Sequence, residues 1–305
     1  MLLKYATNVC LLVINLFIYT FASATTFEIP ENSNIIGATN IVIVAPKETL
    51  FDIAHKFDIG MFEMIEANPG IKPDKLKPGT QIIIPAEHIL PSAPREGIVL
   101  NLAELRIYFY HPNSNLVSTY PVGIGRVGWK TPIGTTKITK KREHPTWHPP
   151  ESIREAYEEK GITLPDFVPP GPKNPLGNYA MNLDWGGYLI HGTNQPTSVG
   201  LRSSSGCIRM YAEDIQALFN QVDTGTIVHF IHEPFKIGKK DNNIYLEAHK
   251  PLPEPYYDTH EDSEKTLKEE IKSISKAKTV NIDWPYATKE MKETYGYPIV
   301  IGVSQ

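Results

Sequence analysis

The sequence predicts a mostly β chain with a few helices, preceded by a small βααβ module and followed by a mixed extension. Three observations carry this expectation. Short runs rich in Val, Ile, Tyr and Phe, separated by Gly, Pro and Asn, recur from residue 97 to 232. A strand, two helices and a closing strand fit within residues 40–86. Beyond Pro234, proline and charge replace that rhythm. A length of 305 residues suggests about two domains. The 41% hydrophobic content excludes wholesale disorder. Lys and Arg number 30 against 34 Asp and Glu, a formal charge of -4, so the basic excess of a nucleic-acid binder is missing.

Residues 1–24 read as an address. Lys4 precedes an apolar stretch from Val9 to Phe21, which ends in Ala22-Ser23-Ala24, the pattern of a cleaved secretory signal peptide. No other segment approaches the ~20 apolar residues that span a bilayer. Cys10 leaves with this peptide, so the exported chain is expected to keep one cysteine, Cys207. A lone thiol in an oxidising compartment is either reactive, intermolecularly paired or buried as a small apolar residue.

Within 40–86, Ile41 to Val44 alternates as a strand, and Thr49 with Asp52 forms a capping box for a helix carrying Leu50, Ile53, Ala54 and Phe57. A second helix carries Phe62, Ile65 and Ala67 and stops at Asn68-Pro69-Gly70; Gln81 to Pro85 closes the unit. Leu90 to Pro94 is expected as a stiff linker. Strands follow at 98–102, 105–110, 116–124 and 135–140. A Pro-laden excursion from Pro145 to Pro175 holds a short charged helix, and an excursion of that length is expected to be a lid or groove wall. Strands return at 179–183 and 187–190, then a helix bearing Ile215, Leu218 and Phe219, then a strand at 226–231. Residues 233–305 are expected to contribute one exposed helix, striped by Leu267, Ile271 and Ile274, and no chemistry.

Two short stretches carry the chemistry. Tyr188-Leu189-Ile190-His191-Gly192-Thr193 ends an apolar strand in a histidine, and Ser203-Ser204-Ser205-Gly206-Cys207-Ile208-Arg209 sets a cysteine in a flexible turn. Turn N–H groups and Arg209 would favour a thiolate and a developing oxyanion, and His191 is the candidate base. His144 and His148 are separated by Pro145, and His229 and His232 alternate along a strand, so neither pair is a metal site; no metal or cofactor is expected.

The spacing His-Gly-Thr…Ser-x-Gly-Cys-Ile-Arg, with Thr131-Pro132-x-Gly134, Asn174-Pro175-Leu176-Gly177 and Gly225-Thr226-x-Val228, resembles the L,D-transpeptidase (YkuD-type) catalytic domain over residues 97–232. Thr49-Leu50, Ala67-Asn68-Pro69 and Lys77-Pro78-Gly79 resemble a LysM module. The resemblance implies a β-sandwich of the YkuD type behind a peptidoglycan-binding LysM domain, in a periplasmic branch that includes lipoprotein-anchoring enzymes. It implies Cys207 as nucleophile, His191 as proton donor and acceptor, and the Ser204 backbone carbonyl orienting that histidine. It further implies Gly206 as an oxyanion-hole donor, Arg209 as an electrostatic or carboxylate-binding group, and Gly192 and Ser205 as substrate neighbours. Ser205 stands where many members have histidine.

The implied reaction is attack on the meso-diaminopimelate carbonyl of a tetrapeptide stem, loss of D-Ala, and transfer of the acyl group from sulfur. The acceptor is a diaminopimelate amine, a lysine of an envelope lipoprotein, or water. Two other readings compete. A non-catalytic glycan-binding protein leaves the Ser-Gly-Cys turn unexplained, and a papain-type peptidase places its Cys ahead of its His, whereas here His precedes Cys by 16 positions. Deleting residues 41–85 is expected to weaken binding to the sacculus but to leave turnover of soluble muropeptides.

Overall fold

The computed structural model describes residues 25–129, 131–253, 265, 267–269, 271 and 280–304. The expected signal peptide lies outside these residues. Two short strands, β1 (Thr25–Glu28) and β2 (Ile35–Gly37), precede the N-terminal module. The module comprises β3 (Asn40–Ile43), α1 (Leu50–Lys56), α2 (Met61–Ala67) and β4 (Gln81–Ile84), with β3 and β4 antiparallel. Thr49 and Asp52 close the expected capping box on α1. Leu50, Ile53, Ala54, Met64, Ile82 and Ile84 form its core. Asn68 explains the Asn-Pro-Gly stop: its amide donates to the carbonyls of Met64 and Ile83 and accepts the Ile83 N–H, tying the end of α2 to β4.

Residues Glu87–Ile89 form β5, which pairs with β2. The expected linker Leu90–Pro94 follows without helix or strand, but Leu90 and Pro91 are buried and the Ser92 N–H donates to Glu233 at 3.0 Å, which holds it against the body. The main body then adds β6 (Gly97–Asn101), β7 (Arg106–Tyr110), β8 (Leu116–Pro121), β9 (Ile124–Gly125) and β10 (Gly134–Glu143). After α3 (Glu151–Glu158) come β11 (Tyr179–Leu183), β12 (Leu189–His191), β13 (Arg202–Ser204), β14 (Ile208–Arg209), α4 (Ala212–Gln221) and β15 (Ile227–Ile231). The sheet runs β1-β8-β7-β6-β15-β10-β11-β12-β14. Its ten-residue strand β10 serves two leaves: Gly134–Lys137 pairs with β15, while Ile138–Glu143 pairs with β11. A β-bulge between Ile138 and Lys140 marks the change of leaf. Apolar residues of both leaves meet α4 in one core that includes Ile98, Leu100, Met181, Ile190, Ile215 and Leu218. Each such fully buried aliphatic side chain contributes about 2 kcal/mol.

The C-terminal extension departs from the expected lone helix. It is an antiparallel sheet of β16 (Phe235–Lys240), β17 (Asn243–Ala248), β18 (Val280–Ile282) and β19 (Ile299–Ser304), in the order β16-β17-β19-β18, with α5 (Trp284–Glu293) against it. Period-two alternation of Phe235 and Ile237 on β16, and of Ile244, Leu246 and Ala248 on β17, supplies its core. Leu267 and Ile271 of the expected stripe are buried in that core; Ile274 lies outside the described residues.

Buried charges join the three parts. Glu63 of α2 receives both Nε (2.8 Å) and Nη2 (2.9 Å) of Arg106 on β7, each side chain being 1% exposed. Lys236 of β16 sits between Glu104 (2.8 Å) and Glu247 (3.0 Å), and His249 bridges Glu247 and Glu66 of α2. His88, Glu104 and Glu247 bring potential ligand atoms together, but the Lys236 ammonium already holds that position. Removing one partner of such a pair costs about 3–5 kcal/mol. Buried ion pairs thus tie the N-terminal module, through Glu63 and Glu66, to the main body and the C-terminal extension.

Candidate active site

β12 is bracketed by antiparallel β11 and parallel β14, with His191 opposite Ala180 on one side and Arg209 on the other. Ile190 and Ile208 turn into the core, so the alternating residues His191, Arg209 and Cys207 face the other way. Strand pairing thereby gathers three residues that lie 16 and two positions apart in the chain onto one face.

The loop that presents Cys207 is held by specific contacts. Thr131 Oγ1 donates to the Gly206 carbonyl and accepts the Gly125 N–H, both at 3.1 Å. Gly206 adopts φ 104°, a region closed to most side chains, which explains glycine immediately before the cysteine. The Ser204 hydroxyl donates to the Cys207 carbonyl and accepts the Gly206 N–H at 3.1 Å. Gly177 explains the end of the Asn-Pro-Leu-Gly stretch: a Cβ there would lie 3.0 Å from the Thr193 backbone, behind His191.

Burial pushes the His191 imidazole down to about 4, with Arg209 and Arg142 adding to the shift and a hydrogen bond to the Gly192 carbonyl opposing it. His191 Nδ1 lies 2.5 Å from that carbonyl, so Nδ1 carries the proton and Nε2 is the basic nitrogen. Burial likewise holds the Cys207 thiol above its usual value, against the Leu189 backbone and Arg209, which favour the thiolate. Both shifts favour the uncharged pair, thiol and neutral imidazole. The turn and Arg209 that the sequence offers in favour of a thiolate are thus opposed by burial; β14 follows Cys207 directly, and α4 begins only at Ala212.

Two further expectations change. The carbonyl meeting His191 belongs to Gly192, while that of Ser204 accepts the Arg126 N–H at 3.0 Å. Gly192 does not line the groove; it is buried, with Ile215 and the Leu176 carbonyl beside it. Ser205 does line it and accepts a hydrogen bond from Arg126 Nη1 at 3.2 Å. Arg209 reaches Ser203 Oγ at 3.4 Å.

Cys207, His191 and Arg209 open into a groove of about 180 Å³. Its far wall comes from the Pro-laden excursion, through Trp147, Pro150 and Ile153. Trp147 and Val168 exchange backbone hydrogen bonds at 2.9 and 2.8 Å, closing the excursion at its base. Asn174, fully buried, donates to the carbonyls of Pro145, Val168 and Pro169 and accepts the Leu176 N–H, so one side chain ties both ends of the wall together. Arg142 also lines the groove, a residue that sequence reasoning missed.

The family model of the L,D-transpeptidase catalytic domain, YkuD, matches residues 95–230, and that of the LysM domain matches residues 42–85. The probable L,D-transpeptidase YcfS of Escherichia coli strain K12 is 40% identical over 275 residues, covering 85% of this chain and 86% of the relative. The probable L,D-transpeptidase ErfK/SrfK of the same strain is 42% identical, over 77% of this chain and 79% of the relative. The probable L,D-transpeptidase YbiS of that strain is 38% identical, over 91% and 92%. With a strand-rich catalytic body behind a LysM domain, and kinship that spans most of its length, the chain belongs to the L,D-transpeptidase family.

Proposed function

We propose that this L,D-transpeptidase works through a thioester on Cys207, using peptidoglycan tetrapeptide stems as acyl donors. The observation that carries the reading is the shared sheet face of Cys207 and His191, opening into a walled groove with Arg209 beside them. His191 Nε2 accepts the thiol proton as sulfur attacks the meso-diaminopimelate carbonyl. The proton passes to the amine of the departing D-Ala, leaving the thioester. His191 then takes a proton from the incoming amine, and collapse of the second adduct returns the thiol. Loop N–H groups of Gly206 and Cys207 stabilise the oxyanion, Gly206 exchanging its bond to the Ser204 hydroxyl for one to the adduct.

The acceptor is a diaminopimelate amine, giving a 3-3 crosslink, or a lysine of an envelope lipoprotein; water in that place yields an L,D-carboxypeptidase. The LysM domain holds the glycan strand, and the chain acts in the periplasm. Among the described residues, no helix is long and apolar enough to cross a membrane.

Mass spectrometry tests this directly. The protein is mixed with disaccharide-tetrapeptide, alone and with a lysine-ended lipoprotein peptide. Dimers lacking one D-Ala establish crosslinking, and a muropeptide joined to the peptide establishes anchoring. The Cys207→Ala protein is expected to release no D-Ala and to gain no mass with a carbapenem; release by that variant would sink the thioester.

A further inference from the structure

Arg142 reaches the groove through an irregularity in β10. Thr136 and Ile138 point into the core, so regular alternation would send Lys140 and Arg142 inward and Lys141 toward the groove. The bulge between Ile138 and Lys140 reverses that parity. Beyond it, Lys141 turns inward, its Nζ on the Val222 carbonyl at 2.6 Å and over the Phe219 ring, and Arg142 takes the outward position. There Arg142 pairs with Ala180, which pairs with His191, which pairs with Arg209. Four side chains thus share one row, with the small, buried Ala180 between Arg142 and His191, and both of these line the groove.

Arg142 is not spent on the protein itself. Its Nε is buried without a hydrogen-bond partner, and among the described residues its guanidinium forms no ion pair. Arg126 and Arg209 stand on the opposite flank, and none of the described side chains lining the groove is Asp or Glu. Two guanidinium groups therefore flank the His191 imidazole with no protein anion between them. A guanidinium in that setting matches a carboxylate in both charge and planar geometry.

We propose that Arg142 is a specificity-determining residue that seats a second carboxylate of the acyl donor, on the side of His191 away from Arg209. This deepens the proposed function and rests on it. Besides the α-carboxylate of its γ-linked glutamate, a tetrapeptide stem carries one carboxylate on its terminal residue and another on the distal centre of diaminopimelate. These two belong to the residues on either side of the scissile bond, so one donor can engage both arginines. The seat makes a doubly anionic stem the preferred donor and discriminates against stems in which that carboxylate is amidated.

The test uses the full chain as wild type, Arg142→Gln and Arg142→Lys. The donors are three soluble stems: the free acid, the terminal amide and the diaminopimelate amide. Arg142→Gln is expected to lower kcat/KM on the free acid by about 10- to 100-fold, the worth of a charge-assisted hydrogen bond. Arg142→Lys recovers part of the loss. One of the two amides should be a correspondingly poor donor for the wild type and lose nothing more in Arg142→Gln, which identifies the seated carboxylate. Equal losses on all three stems would overturn the seat. The same comparison is made by calorimetric binding in the Cys207→Ala background, where an unchanged affinity for the free acid would also overturn it. Failure of the wild type to turn over any stem refutes the proposed reaction, and the binding measurement still decides the seat.

Discussion

Replacing Glu63 by Gln tests whether the LysM domain is locked to the catalytic body. The substitution keeps the side chain's size but removes its charge, leaving Arg106 only 1% exposed and without its main counter-ion. The Glu63 carboxylate receives Arg106 Nε and Nη2, and the Gly60 N–H at 2.8 Å as well. Breaking a buried pair of this kind costs about 3–5 kcal/mol. The Gln carbonyl keeps one acceptor, worth about 1 kcal/mol. Arg106 also keeps Thr119 Oγ1 at 3.1 Å and the Asp58 carbonyl at 3.3 Å. The expected net loss is about 3 kcal/mol. At a urea slope of about 3 kcal/mol per M, the unfolding midpoint falls by about 1 M. Glu63→Gln combined with Arg106→Met should recover most of that loss, because no charge is then left unpaired. A midpoint within about 0.3 M of wild type for the single variant would refute the argument.

The other expectations concern the wall and two buried titrating sites. Asn174→Ala removes the tie between the two ends of the groove wall, so acylation of Cys207, followed by intact-protein mass, should slow about 10-fold. His191 titrates at about 4 in the fold, below its value in the unfolded chain. The unfolded chain therefore binds the proton first as pH falls, and about 3 kcal/mol of stability is lost between pH 6.5 and 4. His191→Gln should remove this part of the acid dependence in urea titrations. Burial raises Asp58 to about 6, Arg106 opposing, and raises Asp214 beside it. Stability therefore declines as pH rises from about 4 to 6 and the unfolded carboxylates ionise first. Asp214→Asn should flatten that decline, and an unchanged slope would count against coupling between the two buried carboxyls.

Local chemistry was legible in the chain. Thr49 and Asp52 announced α1, Asn68-Pro69-Gly70 ended α2, and Gly206 before Cys207 marked a turn that only glycine adopts. These signals act within a few residues, where capping hydrogen bonds and backbone sterics decide the outcome. The β16–β17 hairpin went unread: Phe235 and Ile237 alternate ahead of the Asp241-Asn242 turn, but the surrounding charge hid that period. Lys236 in particular reads as a solvent-facing strand residue, yet it is buried between Glu104 and Glu247, which lie far from it in sequence.

What the sequence determined by itself was the family resemblance and the candidate residues on which the proposed function rests: a thiol in a glycine turn, a histidine at a strand end and an arginine beside them. Tertiary structure alone decided their state and company. Burial favours the uncharged thiol and imidazole, a property of surrounding atoms that a motif does not encode. The bulge in β10 exchanged the faces of Lys141 and Arg142, because one extra residue reverses a period of two, and so delivered an arginine to the groove that alternation would have buried.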